Sequence, residues 1–106
     1  MSWQVTLRDV LSGYFGDQTL EEGVKEMVFV TECNLDYHHL YLSGIEEGIK
    51  AAAQGESEVT EIIMESNAQY VQNISEAREF LEKLCLEYLS QYNSAISDNV
   101  LDLSAS

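Results

Sequence analysis

Histidines, cysteines and paired carboxylates are the groups from which a small protein builds catalysis or a metal centre, and here they fall in unproductive spacing. The two histidines are adjacent, at His38 and His39. Neighbours on a helix point about 100° apart, so these rings cannot chelate one ion as an i, i+4 pair does. Asp36 and His39 have the i, i+3 spacing of di-metal carboxylate bundles, but those centres also need inward glutamates from other helices. The glutamates here mostly occupy polar faces. The expectation is one histidine partly packed, one exposed and no metal. Glu21-Glu22 and Glu46-Glu47 could divide acid and base roles only in a cleft that separates their pKa values, and on charged helix faces they are solvated. Cys33 and Cys85 lack CxxC spacing and read as two reduced core thiols. Glycine-rich phosphate loops, HExxH, GxSxG and EF-hand patterns do not occur. No catalytic residue and no cofactor are therefore expected.

What remains is a combination of acid and tyrosine. Nineteen Asp and Glu against five Lys and Arg give a formal net charge of −14. Such a surface repels nucleic-acid phosphates and anionic lipid and attracts a cationic partner, although the same charge also serves solubility. Six tyrosines accompany it, several beside acids, with Tyr37 and Tyr41 an i, i+4 pair. Tyrosine is favoured at interfaces because a rigid ring gives contact area at low entropic cost, while carboxylates steer and orient a basic partner. The plainer alternative is that the rings fill a small core and show their hydroxyls to water. Neither a cleavable leader nor an apolar run long enough for a membrane span is present, which, with the cysteine usage, fits a cytoplasmic protein.

These residues must be positioned by helices. At 106 residues and 45% apolar content, the chain is long enough for one folded domain. Leu7, Val10, Leu11, Tyr14 and Phe15 recur at helical spacing over residues 6–15 and predict a first helix ending near Gly16. Thr19 with Glu22 forms a capping box for a second helix to about Glu32. Its β-favouring run Met27 to Thr31 is kept helical, because a lone strand could not satisfy its backbone. Asn34 caps a third helix with an apolar stripe of Leu35, Leu42, Ile45, Ile49 and Ala53, closed by Gly55. Ser57 is expected to cap a fourth, with Val59, Ile62 and Ile63 apolar and Asn67 its stop. From Ser75 to Tyr92, Ala77, Phe80, Leu81, Leu84, Cys85, Tyr88 and Leu89 trace a fifth helix. The fold expected is all-α, a compact bundle of about five helices over residues 1–92. Residues 93–106 form a tail, either a short docked helix or frayed chain.

The stretch "LRDVLSGYFGDQTLEEG", Leu7 to Gly23, resembles the N-terminal signature of the immunity proteins of bacterial contact-dependent growth inhibition systems. In that signature an aromatic Tyr-Phe pair precedes a short polar step and an acidic stretch. "GESEVTEIIMESNAQYVQNISEAREFLEKLCLEYL" is similar to the family's closing part, and the likeness spans roughly residues 7 to 92. Gln18-Thr19 stands where the family usually has a tryptophan, and Glu79-Phe80-Leu81 where a Trp-Leu pair is common. In this segment Phe15 and Tyr14 are expected to pack on the final helix and Gly16 to permit the turn, with Asp17 either a turn residue or a contact.

The resemblance implies a cytoplasmic antidote that binds a toxin's C-terminal domain, often a nuclease, as a one-to-one heterodimer. Such a binder would cover the basic substrate cleft, ribonuclease being favoured over deoxyribonuclease. It touches no nucleic acid or membrane directly, and charge repulsion favours a monomeric free protein. Partner-facing residues are expected on or beside the third helix: Glu32, Asp36, Tyr37, Tyr41, Glu46 and Glu47. Two alternatives stand beside this reading: an acidic nucleic-acid mimic that inhibits another DNA- or RNA-binding protein, and a small metal-dependent bundle enzyme.

Overall fold

Ser2 opens the first helix by accepting the Val5 N–H at 3.4 Å. The chain then runs through α1 (Trp3–Tyr14), α2 (Leu20–Thr31), α3 (Leu35–Ala53), α4 (Glu58–Glu65) and α5 (Ile74–Ala105). This is a computed structural model that describes residues 2–105, with side chains through residue 97. Among the described residues there is no strand, and the all-α bundle of five helices is as the sequence predicts.

Most helix ends follow from their capping residues. Thr19 and Glu22 form the reciprocal capping box of α2. Asn34 Oδ1 accepts from the N–H groups of Asp36 and Tyr37 to start α3. Gly55, at φ +82°, closes α3: its N–H donates to the Ala52 carbonyl while the Glu56 N–H reaches Ala51, each at 3.0 Å. Asn67, at φ 56°, ends α4 with the same two-bond pattern.

Other ends differ from expectation. Ser57 occupies the cap position of α4, but its side chain makes no capping bond. Asn73 rather than Ser75 starts α5: its Oδ1 accepts the Glu76 N–H, and Glu76 accepts the Gln72 N–H in return. Met27 to Thr31 is helical. Gly16 makes its turn without a positive φ; among the described residues, only Gly55 of the glycines has one. No helix end falls at Asn93, because α5 runs on through it and Ala95 and Ile96 rest on the core.

The core centres on Leu7, Leu11, Phe15, Met27, Ile45, Ile62, Ile63, Leu81, Leu84 and Tyr88, all almost fully buried. Burial of such side chains stabilises the fold by roughly 1.5–3 kcal/mol each relative to exposure. Two glycines on α3 decide how closely α1 approaches. A Cβ on Gly44 would lie 2.7 Å from Thr6 Cγ2, and one on Gly48 would lie 3.0 Å from Leu7 Cδ2 and 3.2 Å from Leu81 Cδ1. Gly48 is thus the notch where α1 and α5 both meet α3.

The inward face of α3 is consequently His38, Gly44, Ile45, Gly48, Ala51 and Ala52. Of the expected stripe, Ile45 is buried and Leu42 and Ile49 are partly so, but Leu35 and Ala53 are exposed. Small residues set the buried face, and glycine carries no apolar signal from which to read it.

Candidate binding surface on the third helix

Three tyrosines converge where α1 meets α3. The Tyr14 and Tyr41 hydroxyls are hydrogen-bonded at 3.3 Å, with their rings edge-on at 5.9 Å and 66°. Tyr37, one turn before Tyr41, lies 5.7 Å from it at a 30° tilt. Burial and the Tyr41 hydroxyl raise the Tyr14 pKa well above the ordinary phenol value, so Tyr14 stays neutral at physiological pH. Tyr37 remains exposed. With Thr6, Asp9 and Leu40, Tyr37 and Tyr41 line a cavity of about 170 Å³ between the two helices.

Tyr14 and Phe15, expected to pack on the final helix, belong to the core that α5 helps build and also meet other elements. Tyr14 engages α3, and Phe15 lies against α2, where a Cβ on Gly23 would overlap its ring. A glycine on α2 admits the phenyl ring, and the tyrosine-tyrosine bond holds Tyr14.

The six residues expected to face a partner are not one patch. Tyr37 and Tyr41 are in contact. Asp36 and Glu47 are exposed and stand only about 20° apart around the helix, eleven residues at about 100° each. Tyr37 lies about 80–100° to one side of them, beside α1. Glu46 lies about as far to their other side, towards α5, where its charge adds to the burial that raises the Cys85 thiol pKa. Glu47 is drawn into an exposed i, i+3 pair with Lys50 at 3.7 Å, a contact worth little by itself. Glu32 is half-buried at the end of α2, its N–H donating to the Val28 carbonyl.

Asp9, Thr6 and Leu40 were not legible as neighbours of the tyrosine pair. The signal that could have placed them is the Gly44 to Gly48 spacing, which brings α1 onto this side of α3.

The opposite side of α3 carries a buried polar chain. His38 Nδ1 and the Tyr88 hydroxyl are 2.7 Å apart, Tyr88 donates to Thr31 Oγ1 at 2.8 Å, and Thr31 donates to the Met27 carbonyl at 2.9 Å. Because each hydroxyl proton is already directed onward, Nδ1 must be the donor to Tyr88, which fixes the histidine tautomer. Tyr92 stacks on His38 at 3.8 Å and 7°. Burial lowers the His38 pKa, with help from neighbouring His39, and pushes the Tyr88 pKa up to about 12. His39 is exposed, so the histidines divide as predicted.

The cysteines do not: Cys33 is exposed because it lies in the turn between α2 and α3, while Cys85 is half-buried, and both are free. Glu21 and Glu22 are exposed, Glu22 being held by the capping box. Among the described residues, no three His, Cys, Asp or Glu side chains converge as a metal site would require. No described helix is long and apolar enough to cross a membrane.

Comparison with known proteins returned no match to a protein-family model, to a curated protein or to a solved structure. The likeness to contact-dependent growth inhibition immunity proteins rests on the residues quoted for it.

Proposed function

We propose that this protein is a stoichiometric inhibitor of a basic protein, an immunity protein that neutralises a nuclease toxin domain by covering its substrate cleft. The observation that carries the reading is the exposed arc of α3 on which Asp36 and Glu47 stand about 20° apart, with exposed Tyr37 at its edge beside α1, on a chain of net charge −14. A nuclease cleft is cationic because it must hold phosphates, and a surface offering fixed carboxylates and a rigid ring competes for it. Electrostatic steering accelerates such an encounter, and tyrosine supplies the desolvated contact that slows dissociation.

The cleft of a ribonuclease is the favoured target. Binding would be one-to-one and act in the cytoplasm, with no chemistry contributed by the inhibitor. The test is protection in cells: producing the proposed partner, a nuclease toxin domain, should arrest growth, and producing this protein with it should restore growth. Growth arrest that persists with both proteins present at equal levels would reject the reading.

A further inference from the structure

We propose that the cavity between α1 and α3, lined by Asp9, Tyr37, Leu40 and Tyr41, is a receptor for an arginine side chain of the partner protein. This deepens the toxin-binding reading and rests on it for the partner's identity. The niche has two walls of different chemistry. One is aromatic: Tyr37 tilts at 30° against Tyr41, and Tyr41 is held by its hydroxyl bond to Tyr14, so the ring pair is fixed before anything binds. Tyr37 keeps 45% of its surface open to solvent, enough for a planar group to lie on its face.

The other wall is the Asp9 carboxylate, exposed and without a hydrogen-bond or ion-pair partner among the described residues. The neighbouring cation, Arg8, pairs instead with Glu65 of α4 at 3.4 Å. A volume of about 170 Å³ suits a side-chain tip rather than a helix or a nucleotide.

Charge complementarity selects a cation, and the walls select among cations. A guanidinium is planar, weakly hydrated and always charged, so it stacks on a tyrosine face while its N–H fork reaches a carboxylate. An ammonium is a compact, strongly hydrated charge that uses the ring less well. Leu40 provides an apolar wall for the methylene stem.

The niche can be tested without the toxin. The intact protein would be titrated at 150 mM salt with three acetylated, amidated tripeptides, Gly-Arg-Gly, Gly-Lys-Gly and Gly-Gln-Gly, following the aromatic resonances of Tyr37 and Tyr41. The arginine peptide should shift both rings saturably and more tightly than the lysine peptide, and the glutamine peptide should leave them unmoved. Asp9→Asn and Tyr37→Ala should each weaken the arginine peptide about two- to five-fold, the size of an exposed cation–π or charged contact. Tyr37→Phe should retain it.

Equal affinity for arginine and lysine, or shifts unchanged in both weakening variants, would overturn the proposal. Unaltered thermal midpoints would show that the variants fold. A missing arginine response alongside an intact toxin complex would remove the niche and leave the immunity reading in place.

Discussion

His38 and Tyr88, fifty residues apart in the chain, share a 2.7 Å hydrogen bond inside the bundle. That bond ties α3 to α5, and through the Tyr88 bond to Thr31 the same hydroxyl ties α5 to α2. A buried polar chain of this kind stabilises only when every member is satisfied. Here each is, because the protons run in one direction to the Met27 carbonyl.

Removing the central hydroxyl should therefore be costly. Tyr88→Phe strands the His38 Nδ1–H and the Thr31 lone pair, with an expected loss of about 1–3 kcal/mol in urea unfolding. Thr31→Val removes the acceptor from the Tyr88 hydroxyl and should cost a similar amount. The double variant should lose less than the sum, with a coupling of at least about 0.5 kcal/mol. Strict additivity would show that the chain is not one unit.

The histidine makes a distinct prediction in pH. Burial and the neighbouring His39 hold the His38 pKa below the ordinary value, so the unfolded chain takes up that proton more readily than the folded one. Stability owed to neutral His38 is thus fully present above about pH 6.5 and drains away as pH falls towards the folded value. In an NMR titration the His38 ring should protonate at lower pH than a histidine in an unstructured peptide. A midpoint at or above the peptide value would contradict the packing described for it.

Glycine substitutions separate close packing from helix propensity. An alanine gains about 1 kcal/mol over glycine at an exposed helix interior position. Nothing lies within 4 Å of a Cβ at Gly13, so Gly13→Ala should stabilise. At Gly44 the same methyl meets Thr6 Cγ2 at 2.7 Å, so Gly44→Ala should destabilise despite its better propensity. Paired chemical denaturation curves of the two variants would show opposite signs.

How much of this was readable in advance depended on whether a residue's role is local. Thr19 with Glu22, Asn34, Gly55 and Asn67 act within a few residues of themselves, and each ends or starts a helix as its type predicts. The apolar repeat of α5 was equally plain: Ala77, Leu81, Leu84 and Tyr88 are all buried. The start of α5 is not marked by the apolar repeat, because the Asn73 cap precedes the first repeating residue, Ala77. The buried face of α3 departs from its apolar stripe because glycines and alanines rather than large aliphatics form most of it. At the candidate site the Tyr37–Tyr41 pair was visible as an i, i+4 spacing. Its neighbours Asp9 and Tyr14 come from a separate helix, whose approach is signalled only by the Gly44 and Gly48 spacing on α3. Glu46 and Glu47 are adjacent in sequence yet face different flanks, a separation of about 100° that follows from helix geometry alone.

Charge on the outer flank of α3 should govern the encounter with a basic partner. Reversing it with Asp36→Lys and Glu47→Lys together should slow association about ten-fold at low salt, and by less as salt screens the field. Glu46→Lys, on the other flank, should have a smaller effect. Stopped-flow rates at two ionic strengths would check this, and an unchanged association rate at low salt would assign the interface to another face.

The most direct measurement is calorimetric titration of this protein into the nuclease toxin domain proposed as its partner, with nuclease activity assayed on RNA and DNA at each ratio. The account predicts a one-to-one end point at which activity is abolished, with RNA as the substrate protected. Binding that leaves the nuclease fully active, or no binding at all, would contradict it.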